Sequence, residues 1–248
     1  MKSTNSLLKD KITIGFLLFF VIMLVLGVWL SGEAQIVFNQ FAGAISLILA
    51  VFFCFRTYQL YGLKSGEGQV WLVFSIALVC LALGQIAVIA GLKGGMILFR
   101  IVAIPLYIFG FAKKIALAGF VLTARNSATT MISVVGWCIA VFFISVKPAL
   151  ANGFDYFDDA YMVFSLLDIF LLFAVMFIIQ MDVTSNGWVL LSSGLIAVMI
   201  GDIFYIFANQ NLGYYDGHPY DLIWYVGLLI IGYAAYHQRK SHLELIAI

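Results

Sequence analysis

Eight apolar runs, at about residues 12–30, 37–58, 70–91, 97–114, 130–147, 161–181, 187–208 and 221–237, follow one another along the chain with short polar connections between them. Each is close to the roughly 20 residues a helix needs to cross the hydrocarbon core of a bilayer. The runs are continuous rather than alternating, so they predict helices and not the strands of a barrel. In hydrocarbon a backbone must satisfy its own hydrogen bonds, and a helix does so within one segment. The pattern predicts an all-α fold: a polytopic transmembrane helical bundle of about eight spans, forming one integral membrane domain over residues 1–248.

Composition removes the soluble alternative. Hydrophobic residues make up 64% of the chain and charged residues 10%, with a mean hydropathy of +1.09. One core of this size hides far less apolar surface, so the surrounding solvent is expected to be lipid. Lys2, Lys9 and Lys11 precede the first run as they would in a secretory signal. That run is longer than a signal's apolar core, and Ser31-Gly32-Glu33-Ala34 is a poor cleavage site, so the helix is expected to be retained. The tail from His237 to Ile248 is too short for a fused output domain.

The formal net charge of +1 carries little information, but its distribution does. One set of helix ends holds Lys2, Lys9, Lys11, Arg56, Lys64, Lys113, Lys114, Arg125, Arg239 and Lys240. The other holds Lys93, Arg100 and Lys147 beside Glu33, Asp155, Asp158, Asp159, Asp216 and Asp221. Cytoplasmic ends collect Lys and Arg, which places both termini in the cytoplasm of a multi-pass cell-membrane protein. Nothing in this balance points to nucleic acid. Cys54, Cys80 and Cys138 lie singly inside apolar runs and read as small packing residues. At Lys113-Lys114 the fourth helix either ends, leaving an amphipathic segment along the interface, or continues; ending there costs less, because both ammonium groups then reach headgroups.

The third and seventh runs match at a constant offset. Trp71, Ser75, Leu78, Gly84 and Ile86 correspond to Trp188, Ser192, Leu195, Gly201 and Ile203; further on, Gly110, Phe111 and Ala112 correspond to Gly232, Tyr233 and Ala234. Two four-helix repeats, 12–125 and 130–240, are expected, with the same orientation because each crosses an even number of times. The alternative is chance matching between apolar segments. In either case the Trp residues are expected to anchor helices in the cytoplasmic interface, and Ser and Gly to let backbones approach.

A charge in hydrocarbon costs roughly 2.5–3.5 kcal/mol on insertion scales, so each one needs a partner or a task. Asp168 and Asp202 lie in the sixth and seventh runs, Gln85 is the repeat counterpart of Asp202, and Arg100 opens the fourth run from the outer side. Asn39, Gln40, Tyr107, Tyr205, Trp224 and Tyr225 share the same outer half, whereas the inner half is almost entirely Leu, Ile, Val, Phe and Ala. One expectation is an outward-opening ligand cavity lined by Asp202, Asp168, Gln85, Arg100, Tyr205 and Trp224. The competing expectation is that these groups only pair with one another and hold the bundle together. Pro105 frees a carbonyl and bends the fourth helix nearby.

Two outer segments, Phe154–Asp159 and Tyr214–Asp221, combine acids with aromatics. Their spacing fits no calcium loop, and Asp221 also suits a helix N-cap. The sequence has no HExxH, GxSxG or Walker loop, and no mid-helix Lys to hold retinal. His218, His237 and His242 lie outside the hydrocarbon core, so haem ligation across helices is excluded. No catalytic residue, metal or cofactor is expected.

Trp188, then Gly201-Asp202-Ile203-Phe204-Tyr205, Leu212-Gly213-Tyr214-Tyr215-Asp216-Gly217, and Asp221-Leu222-Ile223-Trp224 with Gly227 form the order W, GDxxY, GxYxG, DxxWxxG. This order resembles the multi-helix sensory region found ahead of GGDEF and histidine kinase domains in bacterial membrane proteins. The first half, with Trp71, Gly84 and Gly110, is similar to the weaker copy in such regions. The resemblance implies a sensor, here without the output domain and so acting through a cytoplasmic or membrane signalling partner. The leading expectation is a non-enzymatic module that binds a small or lipidic molecule from the outer side. A proton- or cation-coupled secondary transporter and a structural subunit of a membrane complex are the alternatives.

Overall fold

In a computed structural model, which describes residues 10–90, 92–119, 123–152, 156–181, 185–211, 213, 215 and 218–246, all regular structure is helical. The helices are α1 (Lys11–Trp29), α2 (Glu33–Tyr61), α3 (Gly66–Ile89), α4 (Lys93–Leu117), α5 (Ala124–Val141), α6 (Lys147–Asn152), α7 (Tyr156–Ile179), α8 (Asn186–Asn211) and α9 (Asp221–Ile246). A π-helical turn, Phe142–Val146, joins α5 to α6 without a break, so the two form one rod. Each apolar run of the sequence therefore falls on one rod. Among the described residues six segments, Lys11–Trp29, Glu33–Tyr61, Gly66–Ala87, Arg125–Val146, Met162–Ile179 and Asn186–Asn209, are long and apolar enough to cross a membrane. The chain is a helical, multi-pass membrane bundle.

Going round the bundle, α2 packs on α3, α3 on α4, α4 on α7, α7 on α8, α8 on α9, and α9 returns to α2. Outside this ring α1 lies against α2 and α9, and α5 lies against α7. The outer rods present Leu17, Leu18, Val28, Ile132, Ile139 and Phe143 to their surroundings, as lipid-facing helices should. By contrast, α9 has buried residues throughout, from Leu222 to Tyr236. Helix α9 carries Trp224, Tyr225 and Tyr236, and its place between α8 and α2 buries them.

Close packing of α9 on its neighbours is written in glycine. Gly187, Gly194 and Gly201 recur every seven residues along α8 and so share one face. A methyl group on Gly194 would lie 2.8 Å from the Gly227 carbonyl oxygen, and one on Gly201 would lie 3.1–3.3 Å from Trp224 backbone and Cβ atoms. On the other side, a methyl on Gly232 would come within 3.1–3.2 Å of the α2 backbone at Leu49 and Ala50. Without a hydrophobic driving force between helices, such backbone approach supplies much of the dispersion energy of association. Interhelical hydrogen bonds add to it: Thr57 Oγ1 donates to the Ala235 carbonyl (2.9 Å), Gln35 Nε2 to the Gly27 carbonyl (3.0 Å), and Gln180 Nε2 to Thr130 Oγ1 (2.9 Å).

Several expectations are corrected here. Trp71 and Trp188 are not interfacial anchors: both are buried and lie against each other, with ring centroids 5.0 Å apart. Phe74 and Phe111 complete a closed aromatic stack with Trp188, at 6.0 and 6.4 Å, because α3, α4 and α8 all turn these faces inward. Helix α4 does not stop at Lys113-Lys114 but runs on to Leu117. Lys113 donates to Gln69, Lys114 pairs with Glu67, and the Lys114 ammonium lies 4.8 Å from the Trp188 ring centroid. These partners satisfy the two lysines without a detour to the headgroups. Cys54 is buried as expected, but Cys138 is exposed on the outer face of α5. Asp221 is the first residue of α9 rather than the one preceding it, and its acid meets the positive end of that helix.

Candidate functional site

Helix α4 begins at Lys93, so Arg100 is not at its mouth but about 10 Å along it. Helix α8, across the ring, ends at Asn211, which puts Asp202 about 14 Å from that end. At this shared depth the Arg100 guanidinium donates to Asp202 Oδ2, and the side chains are only 4% and 3% exposed. The pair bridges α4 and α8 across the ring. Burial of two charges is tolerable only where attraction and hydrogen bonding offset the loss of water.

Aromatic faces complete the surroundings of the guanidinium. Its carbon lies 5.1 Å from the Phe164 ring centroid on α7 and 5.8 Å from the Trp224 ring centroid on α9. Ring quadrupoles attract a cation, more strongly where water is absent. Phe164 also packs with Ile97, Ile104 and Ile206, and Tyr205 lies partly buried against that cluster. The guanidinium thus meets the Asp202 acid and the Phe164 and Trp224 rings.

Asp168, one turn beyond Phe164 on α7, is 2% exposed. Its Oδ2 has no hydrogen-bond partner within the protein. Trp224 Nε1 is likewise without a partner, as is the hydroxyl of Tyr107, which is 3% exposed two turns along α4 and packs on Phe74 with ring centroids 5.6 Å apart. Native proteins pair nearly all buried polar groups; Asp168 Oδ2, Trp224 Nε1 and the Tyr107 hydroxyl share the unpaired state with Trp71 Nε1, Trp188 Nε1 and Ser192 Oγ elsewhere in the bundle.

Of the six residues expected to form a site, Arg100, Asp202, Asp168 and Trp224 are brought together and Tyr205 stands beside them. Gln85 is half-buried on α3 and takes no part in the ion pair. Phe164 and Tyr107 were not among the six. Phe164 is four residues before Asp168 on the same helix face, and Tyr107 is seven after Arg100, so helical spacing from each charge is the signal that finds them. Among the described residues no group of three His, Cys, Asp or Glu side chains is placed to hold a metal ion. Of the two outer aromatic-acidic segments, Phe154, Asp155, Tyr214, Asp216 and Gly217 lie outside the described residues, as do the side chains of 156–159. The described part of the second includes Tyr215, whose hydroxyl donates to Gln35 Oε1 at 3.1 Å.

Towards the opposite ends of these helices the interior changes character. Trp71, Phe74, Phe111 and Trp188, each at most 1% exposed, fill the space between α3, α4 and α8. Phe111 is eleven residues, about 16 Å, further along α4 than Arg100. No protein-family model, curated protein or solved structure matched the chain.

Proposed function

We propose that the protein is a non-enzymatic membrane sensor that binds a small or lipidic molecule in the outer half of the bundle and signals through a partner. The observation that carries this is the buried Arg100–Asp202 pair with the unspent Asp168 Oδ2 beside it. A pair needed only for cohesion has no use for a second carboxylate at the same depth. Both termini are taken to be cytoplasmic, in a cell membrane, with α4 and α9 crossing as well to give eight spans.

Two four-helix halves in the same orientation, related by an axis near the membrane normal, fit the packing. Exchanging α2 with α7, α3 with α8 and α4 with α9 returns the same ring of neighbours, and α1 on α2 becomes α5 on α7. Trp71 and its counterpart Trp188 touch each other, as equivalent residues near such an axis would. The match is uneven, since Ile86 is 60% exposed and Ile203 only 7%. A ligand shifting one half against the other is then a natural route to the cytoplasmic ends, provided it binds the two arrangements unequally.

The carrier alternative needs a polar exit, and the aromatic stack of Trp71, Phe74, Phe111 and Trp188 stands against one. The test is direct. Protein in nanodiscs is exposed to polar and lipid extracts of bacterial membranes, washed, and examined by native mass spectrometry. A molecule held by the wild type and lost in Asp202→Asn is expected. Flux of solute or protons in proteoliposomes would favour the carrier, and no retained molecule would leave a structural subunit.

A further inference from the structure

One guanidinium and two carboxyl groups lie buried at one depth of the bundle: Arg100, Asp168 and Asp202 are each no more than 3% exposed. Arg100 donates to Asp202. Asp168 keeps Oδ2 without a partner. Burying an ionised carboxylate with no cation bonded to it costs far more than burying the neutral acid. One guanidinium therefore matches one carboxylate, and the two acids hold one proton between them.

The second acid stands beside the helix that carries the arginine. Arg100 Cζ is 5.1 Å from the Phe164 ring centroid, and Asp168 follows Phe164 by four residues on α7. Side chains at that spacing share a face, with Cβ atoms about 5–6 Å apart. Helix α4 packs directly on α7, whereas the bond to Asp202 reaches across the ring to α8. Among the described residues, the other titratable groups that the elements packed on α7 bring nearby are few. Tyr107 on α4 turns to Phe74, Tyr205 on α8 lies against the Phe164 cluster, and Cys138 on α5 is exposed. Lys147, beyond the π-helical turn, is exposed beside Phe143. Arg100 is thus the cation placed to serve either acid.

We propose that Arg100 has two partners: in one arrangement it bonds Asp202 while Asp168 holds the proton, and in the other it bonds Asp168 while Asp202 holds the proton. One proton leaves the first acid as one arrives at the second, so the site is neutral in both arrangements and neither buries an unpaired charge. The exchange releases α8 from α4 and ties α4 to its neighbour α7 instead. It gives the sensor reading above a discrete two-arrangement element, which a molecule shifts when it binds one arrangement better than the other. The exchange rests on that reading for its use and not for its existence.

The experiment reads the proton itself. The full chain, labelled with carboxyl-isotope aspartate, is examined by infrared spectroscopy in dodecyl maltoside, a detergent without a carbonyl group. The wild type is expected to show the C=O stretch of a protonated aspartic acid, lost in Asp168→Asn. Should that variant not fold, Asp168→Glu keeps the acid, and the band is expected to lose its isotope shift. The decisive variant is Asp202→Asn. A single carboxylate is then left for the guanidinium, so Arg100 is expected to pass to Asp168 and the band to disappear although Asp168 is intact. A band that persists in Asp202→Asn overturns the exchange. So does a wild type without the band, or a band indifferent to both Asp168 variants. Failure of Asp202→Asn to fold also counts against it, since a second partner should hold the cation. No ligand enters this measurement. Retention of a membrane molecule without the exchange leaves the sensor and removes the device; the exchange without retention does the reverse.

Discussion

The Arg100 guanidinium on α4 donates to the Asp202 carboxylate on α8, joining two helices that are not neighbours in the ring, with both side chains at most 4% exposed. Breaking a buried pair from one side leaves an uncompensated charge, typically at a cost of about 3–5 kcal/mol, whereas replacing both partners by apolar groups is often neutral. Arg100→Met alone and Asp202→Leu alone should each lower Tm in detergent strongly. The double variant should recover most of the loss. Additive losses would show that the two residues are coupled weakly or not at all.

Helix positions are legible in this chain because a bilayer demands about 20 apolar residues per crossing, and every expected run falls on one rod. What hydropathy does not report is which polar residue finds which partner. Lys113 and Lys114 look costly in a helix until Gln69, Glu67 and the Trp188 ring are in place, and all three lie far away in sequence. Trp71 and Trp188 have the composition of interfacial anchors and become core residues because two helices turn them towards one another. Around the site, the depth of Arg100, Asp168 and Asp202 follows from spacing alone. The contribution of Phe164 depends on rotation about α7, which a continuous apolar run leaves undetermined.

Gly194 tests the glycine seam between α8 and α9. A Cβ there meets backbone atoms, the Gly227 carbonyl oxygen at 2.8 Å and the Ile231 nitrogen at 3.0 Å, and neither yields as a side chain would. Gly194→Ala should destabilise the protein by about 1–3 kcal/mol, despite the better intrinsic helix propensity of alanine. By comparison, Gly15→Ala, with nothing within 4 Å, should be neutral or slightly stabilising. Equal Tm values for the two variants would remove the seam as a source of stability.

Topology is checked by cysteine accessibility in a cysteine-free background. Gly94, exposed in the first turn of α4, should label from outside the cell. Arg125→Cys, exposed in the first turn of α5, should label only after the membrane is opened. Gly217→Cys is expected to behave as position 94 does. Reversed labelling would invert the protein and, with it, the side from which a ligand enters.

The polar clasp at the α1 and α9 ends gives a pH dependence whose sign is fixed. Asp10 accepts from Ile12 N–H (3.1 Å), Thr13 Oγ1 (3.1 Å), Tyr236 OH (2.5 Å) and Lys240 Nζ (2.7 Å). Burial pushes its carboxyl up, but bonds from Lys240, Tyr236, Ile12 and Thr13 together outweigh that and hold it well below the ordinary 3.8. An acid depressed in the folded state stabilises fully above its unfolded value and loses that contribution as pH falls through the folded one. The clasp should therefore be intact at neutral pH and weaken progressively below about 3.8. Lys240, raised chiefly by its bond to Asp10, contributes below its ordinary 10.5 and releases as pH climbs above it. Asp10→Asn keeps a capping oxygen while losing the charge, and should cost about 1 kcal/mol at pH 7, in the range of partly exposed pairs. Other carboxylates titrate in both proteins, so the informative quantity is the difference in Tm between wild type and variant. That difference should hold steady from pH 5 to 8 and shrink towards zero on acidification. A difference that is flat down to pH 2 would mean the Asp10 charge contributes nothing to the clasp.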